Sequence, residues 1–265
     1  MPDFCLQFMA SQTHLMPYDA TGEKAVDGEG LDSTAHAYRE VRGAILDGGL
    51  PPGSVFSQVQ LAARLGISRT PLREALRLLQ NEGLVRAEVR RRFRVASLDL
   101  SDLEQLYAMR LGLEPLAVRA TVPLLSDSEL EDLRAALDEC AGALARGEAA
   151  ALRAPHRRFH LGLVAHAGER LTHTVTELWD HAERYRLMYH QTAEDEMAVY
   201  TLADSEHRAI LAAAEGREGE RSGWLLAQHL ARTALTIFAS RSPGQEPRLI
   251  RDALRHSGPI DPGER

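Results

Sequence analysis

The stretch HRRFH places two histidines, His156 and His160, four residues apart in a segment with helical spacing. Residues at i and i+4 lie on one face of a helix, an arrangement that lets two imidazoles bind a single metal ion. The residue types and their spacing therefore indicate half of a metal site.

Two further histidines occupy later helical segments among apolar residues. His207 shares a helix face with Ile210 and Leu211, and His229 lies among leucines in WLLAQHLARTAL. Both imidazoles should point inward, where a histidine either hydrogen-bonds within a core or contributes a ligand. A single buried histidine is more often a core residue, but four of them on three helices favour a shared site.

A second set of side chains has the chemistry of nucleic-acid recognition. The segment SQVQLAARLGISRTPLREALRLLQ predicts a short helix ending at Leu65-Gly66 and a second helix capped by Ser68 or Thr70. Pro71 falls in the first turn of this second helix, where its missing N–H costs little. The pattern is that of a helix-turn-helix.

The second helix of this motif divides into an apolar face and a cationic face. Leucines and alanine recur at i, i+3, i+4 and i+7, whereas Arg69, Arg73 and Arg77 repeat every four residues on another face. The N-terminal end of such a helix enters the major groove of DNA, where arginine binds guanine and Ser or Thr reaches phosphates or bases. We therefore expect Ser68, Arg69, Thr70 and Arg73 to contact DNA.

A basic hairpin should follow the helix-turn-helix. The segment LVRAEVRRRFRVA alternates apolar and charged residues, which predicts two strands with Arg90, Arg91 and Arg92 at the tip. Arginines at the tip of such a wing would meet phosphates or a minor groove.

The charge of the chain is distributed unevenly between its parts. The net charge is −7, yet residues 31–97 hold eleven arginines against six acids, or +5, and residues 98–265 carry −8. A basic DNA-binding module joined to an acidic module explains this contrast.

The fold expected from these patterns is mainly α, with a winged helix-turn-helix followed by an all-α antiparallel helical bundle. The predicted divisions are a disordered tail (1–30), the DNA-binding domain (31–97), a helical domain for effector binding and dimerisation (98–241) and a C-terminal tail (242–265). No apolar run reaches the roughly 20 residues of a membrane span. Cys5 and Cys140 lack the spacing of a disulfide framework, so we expect a cytoplasmic protein.

Residues 34–97 resemble the winged helix-turn-helix of the GntR family of bacterial transcription regulators. The resemblance rests on a PG turn, the LAARLGISRTPLREAL core and the EGLV exit. By position it assigns DNA contacts to Arg69, Thr70, Arg73 and the wing tip. The glycine usual at that tip is Arg92 here, which predicts contact through side chains rather than by close approach of the backbone.

Residues 101–240 resemble the FCD effector domain found in FadR-type members of that family. The features present are MRLGLEPLAVR, an FH pair, an EH.AIL segment and a histidine in a late helix. The resemblance implies that His156, His160, His207 and His229 are metal ligands, with His156 in the place of the family's aspartate. Four imidazoles suit Zn²⁺, or Ni²⁺ or Co²⁺, better than Mg²⁺.

The same resemblance implies that a small carboxylate effector completes the metal shell. Arg110, in the family's R..LE context, is a candidate partner for that carboxylate because its planar fork matches the geometry. The alternative is an ion pair between Arg110 and a neighbouring acid.

The function expected is transcription regulation, by a homodimer on a palindromic operator and without enzymatic activity. Two other interpretations keep DNA binding: a metal-free effector-binding regulator and a metal-sensing repressor. A metal-dependent hydrolase is the remaining alternative, since metal-bound imidazoles can activate water. The absence of HExxH and of an evident general base argues against it.

Overall fold

A computed structural model describes residues 29–190, 196–242 and 244–258 of the 265-residue chain. Most of the expected N-terminal tail, residues 1–28, lies outside the described residues. Its last two residues already belong to the first helix, α1 (Glu29–Leu46).

The N-terminal module is a winged helix-turn-helix, as the sequence predicts. After α1 come β1 (Val55–Ser57), α2 (Gln58–Leu65), α3 (Arg69–Asn81), β2 (Val85–Glu88) and β3 (Arg92–Val95). The strands form an antiparallel sheet of order β1-β3-β2. Gly66 closes α2 in the left-handed conformation at φ 65°, where a side chain would be strained, and thereby makes the turn into α3.

The apolar face of α3 holds this module together. Leu72, Leu76 and Leu79 are fully buried and pack with residues of α1 and the sheet. Burying a leucine side chain stabilises a fold by about 1.5–3 kcal/mol. Packing of this face leaves the arginine face of α3 turned to solvent.

The second module is all-helical and confirms the predicted fold class. Its helices are α4 (Leu100–Thr121), α5 (Asp127–Ala145), α6 (Arg153–Gly162), α7 (Glu169–His190), α8 (Glu196–Glu215) and α9 (Gly219–Arg241). Ser126 and Glu129 form a capping box that starts α5 where the sequence predicts a helix start. Helix α6 is preceded by a 3-10 turn at Ala149–Leu152.

The C-terminal segment differs from the expected tail. Residues Arg248–His256 form a further helix, α10, that packs against α4. Ile250 is fully buried, and the Ser257 hydroxyl donates a hydrogen bond to the Leu111 carbonyl at 2.7 Å. The expected C-terminal tail thus contains a short helix, which docks on the bundle by its apolar face.

Candidate functional site

The structure places the predicted DNA-contacting residues at one exposed end of α3. Ser68 is the N-cap residue, with extended backbone and a side chain that makes no capping hydrogen bond. Arg69, Thr70 and Arg73 follow in the first two turns, and all four side chains are exposed. Arg73 contacts Glu74 at 3.1 Å, a surface pair that DNA phosphates can displace.

The wing has the hairpin form that the sequence predicts. Residues Val89–Arg91 form the turn between β2 and β3, and Arg92 is the first residue of β3. Arg90 adopts the left-handed conformation, with φ 61° and ψ 40°, whereas Arg92 is extended with φ −99°. Arginine therefore fits the backbone at position 92 without strain, and Arg92 presents an exposed side chain beside the turn.

Helices α6, α8 and α9 bring the four predicted histidines together in the helical module. Nε2 of His207 lies 3.1 Å from Nε2 of His160 and 3.3 Å from Nε2 of His229. The His156 ring is 4.6 Å from the His160 ring and 5.1 Å from the His207 ring, centre to centre. His156, His160 and His207 each offer a nitrogen within 4.8 Å of the other two.

These distances fit a bound transition metal better than hydrogen bonding. A tetrahedral zinc ion with nitrogens at about 2.0–2.1 Å separates its ligand atoms by about 3.3–3.4 Å. In the ring plane an imidazole nitrogen carries either a proton or a lone pair, so Nε2 of His207 cannot both donate to one neighbour and accept from the other. A cation removes that conflict because all three lone pairs can point at it.

Three of the four histidines also have the protonation expected of metal ligands. Burial, together with the charges of neighbouring groups, lowers the pKa of His156, His160 and His207 well below the usual value for histidine. Neutral imidazole is the form that binds a metal. Among the described residues, the buried Nδ1 of His156 has no hydrogen-bond partner, which leaves it available as a ligand.

A carboxylate next to the histidine cluster orients the imidazole of His229. Oε2 of Glu206 lies 2.9 Å from Nδ1 of His229, and Arg232 forms an ion pair with the same carboxylate. A proton held on Nδ1 leaves the Nε2 lone pair of His229 facing the cluster. Sequence reasoning did not identify Glu206, although it immediately precedes His207 in the chain.

Arg110 lies beside the histidines and already has an acidic partner. It is buried, its Nε and Nη2 bond to Glu114, and its guanidinium stacks over the Tyr107 ring at 4.9 Å. With His156 and His160 it lines a small cavity. The ion pair considered as an alternative is therefore present, and the role of Arg110 in carboxylate binding stays a prediction.

A larger cavity adjoins the small one and shares His156 and His229 with it. It has room of about 120 Å³ and runs from His156, His207 and His229 to an apolar end formed by Cys140, Leu144 and Leu152. The histidines therefore border both the small cavity beside Arg110 and a space that a small molecule can occupy.

An ion-pair network joins α6, the helix that carries His156 and His160, to the DNA-binding module. Asp180 on α7 binds Arg157 of α6 at 3.1 Å and Arg42 of α1 at 2.8 Å. Arg42 in turn binds Glu82, the C-cap residue of α3, at 3.1 Å. The neighbouring Trp179 lies against the His156 ring, 5.8 Å centre to centre. Spacing in the sequence gave no sign of this network.

A winged helix-turn-helix joined to a helical domain is the architecture of a DNA-binding protein with a second, helical module. Residues 33–95 match the bacterial regulatory proteins of the gntR family, and residues 105–232 match the FCD domain. The chain belongs to the GntR family and is a DNA-binding transcription regulator, not an enzyme.

Individual relatives agree with this assignment. The chain is 34% identical over 174 residues to the Nta operon transcriptional regulator of Aminobacter aminovorans, covering 57% of this chain and 81% of that protein. It is 36% identical over 110 residues to the regulator YdhC of Bacillus subtilis, covering 42% of this chain but only 49% of that relative.

A solved structure supports the fold. The fold is similar to that of Escherichia coli McbR/YncC, with a TM-score of 0.71, 22% identity and coverage of 78% of this chain and 98% of that one. Within the described residues no helix is long and apolar enough to cross a membrane.

Proposed function

We propose that this regulator binds a palindromic operator as a homodimer in the cytoplasm. We further propose that a small carboxylate effector changes its operator affinity by binding at a zinc site made by His156, His160, His207 and His229. Nickel and cobalt suit the same nitrogen ligands. The ion would supply a positive charge and open coordination positions inside the helical domain.

The observation that carries the metal site is the convergence of three Nε2 atoms at 3.1 and 3.3 Å, a pattern that hydrogen bonds cannot satisfy. Arg110, which lines the small cavity beside His156 and His160, supports the carboxylate proposal. Glu114 occupies its Nε and Nη2 edge, so Nη1 is the donor that we expect to meet the effector.

The DNA-binding proposal rests on Ser68, Arg69, Thr70 and Arg73 at the exposed start of α3, with Arg91 and Arg92 at the wing. One such module reads a short stretch of DNA, so a two-fold dimer on two half-sites supplies the required length and predicts a palindrome. Phosphate contacts from the wing add affinity that falls with salt.

The test begins with elemental analysis of protein purified without a histidine tag or chelator, beside a His160→Ala, His207→Ala double variant. Near-stoichiometric zinc in the wild type and none in the variant is the expected result. Operator affinity is then measured on a duplex selected from a random pool, with and without added zinc and small carboxylates.

The outcomes separate the proposal from its two rivals. A change in operator affinity caused by zinc alone would indicate a metal-sensing repressor. A protein that stays free of metal after loading with zinc, nickel or cobalt, but responds to a carboxylate, would indicate a metal-free regulator.

A further inference from the structure

The walls of the larger cavity specify the kind of acid that would fit it. We propose that the effector is a small monoanionic acid with one metal-binding head and an apolar body, and that the body lies against Cys140, Leu144 and Leu152. This inference rests on the proposed metal site, which receives the head.

The end of the cavity away from the histidines is apolar. Cys140 and Leu152 are buried and form a small hydrophobic cluster with Ala143, separate from the main core of the bundle; Leu144 and Tyr200 pack against it. An apolar ligand group placed there leaves water, and this favours binding in proportion to the apolar surface that is buried.

The charges along the cavity are balanced before any ligand enters. Arg232 pairs with Glu206, and Arg186 pairs with Glu183, whose Oε2 lies 2.7 Å from the arginine Nε. A second carboxylate on the ligand would lose its hydration near Asp204 and Glu206 without meeting an unpaired cation among the described lining residues.

The two threonine hydroxyls that line the cavity offer a ligand no free proton. Thr233 donates to the His229 carbonyl at 3.1 Å, and Thr236 donates to the Arg232 carbonyl at 2.8 Å. Because both protons are already used within α9, a ligand hydroxyl would find no donor at these positions.

The size of the cavity limits the body of the acid. A space of about 120 Å³ suits a small acid such as hexanoate or benzoate rather than a large ligand. Hexanoate and adipate are a suitable pair of probes, because they share a six-carbon chain and differ by one carboxylate.

Isothermal titration of zinc-loaded protein with hexanoate and adipate tests the proposal. We expect hexanoate to bind at least tenfold more tightly than adipate. Ala203 lines the cavity on α8, so Ala203→Phe should fill the body region and weaken hexanoate binding at least tenfold while zinc content and operator binding are unchanged. Ala212→Phe is the matched control, since Ala212 is exposed on the same helix.

Adipate binding as tight as hexanoate, or equal hexanoate affinity in the Ala203 and Ala212 variants, would overturn the proposed effector class while zinc content shows the metal site intact. Absence of zinc from wild-type protein after loading would overturn the assignment of the head together with the proposed function. Elemental analysis of each titrated sample distinguishes these two failures.

Discussion

Glu206 shows how a single carboxylate sets the chemistry of the histidine cluster. Its Oε2 atom lies 2.9 Å from Nδ1 of His229 and accepts a hydrogen bond from it. The other ring nitrogen, Nε2, then faces the centre of the cluster. Groups that orient a ligand in this way typically contribute 10–100-fold to metal affinity.

We expect Glu206→Ala to weaken zinc binding about 10–100-fold, because His229 then loses the group that selects its tautomer. Glu206→Gln keeps an oxygen acceptor and should recover part of the loss. Competition with a chelator of known zinc affinity gives the measurement. Asp204→Asn is the control, since Asp204 lies on the same helix and lines the same cavity; an equal loss in that variant would show that only the charge matters.

Arg73 and Arg77 offer a comparable test at the DNA surface. Both are exposed and both pair with Glu74, but Arg73 lies one turn closer to the start of α3. Arg73→Ala should cost about 1–3 kcal/mol of operator binding and relax sequence preference at one position, as expected for loss of a base contact. Fluorescence anisotropy over a salt series measures both. A larger loss of operator affinity in Arg77→Ala would show that the part of α3 that contacts bases lies nearer Arg77.

At the scale of elements, the contact between α4 and α9 depends on a glycine. A side chain at Gly223 of α9 would meet the Pro115 carbonyl oxygen at 2.9 Å and Arg119 of α4 at 3.0 Å. Gly112 of α4 is exposed and has nothing within 4 Å of the position where a Cβ would stand. Gly223 is therefore required for close packing of α4 against α9, whereas Gly112 is not.

We expect Gly223→Ala to lower the free energy of unfolding by about 1–3 kcal/mol, since the helices must move apart to admit the methyl group. Gly112→Ala should raise it by about 0.5–1 kcal/mol through better helix propensity. Urea denaturation followed by circular dichroism measures both. Stabilisation by the Gly223 substitution would show that the helices do not approach as closely as described.

The sequence predicted elements better than contacts, for physical reasons. Apolar residues at helical spacing report which face of a helix is buried, so the helix-turn-helix and the long helices were found, and so were the four inward histidines. The α10 helix was missed because it is only nine residues long and follows a proline- and glycine-containing segment, although Leu249, Ile250, Ala253 and Leu254 do recur at helical spacing. The pairings of Glu206 with His229 and of Arg110 with Glu114 depend on side-chain placement, which residue spacing does not determine.

At the scale of the whole molecule, the histidine cluster and the recognition helix are joined through Asp180. Arg157 of α6 and Arg42 of the DNA-binding module both form ion pairs with Asp180. Arg42 also forms an ion pair with Glu82 at the end of α3. The Asp180 side chain is only 6% exposed, so these ion pairs are little screened by salt. A shift of α6 on effector binding would change these ion pairs and thereby the position of α3.

We expect Asp180→Asn to reduce the ratio of operator affinities measured with and without effector by at least fivefold, because coupling between two sites requires an element that both of them bias. Zinc content and effector affinity should remain near those of the wild type, since Asp180 contacts none of the four histidines in the described structure. Asp138→Asn is the matched control, because Asp138 pairs with Arg208 within the helical module alone. Anisotropy titrations of labelled operator at saturating and zero effector give the ratio for each protein. An unchanged ratio in Asp180→Asn would place the coupling elsewhere, with the contact between Asp47 and Arg153 as the next pair to remove.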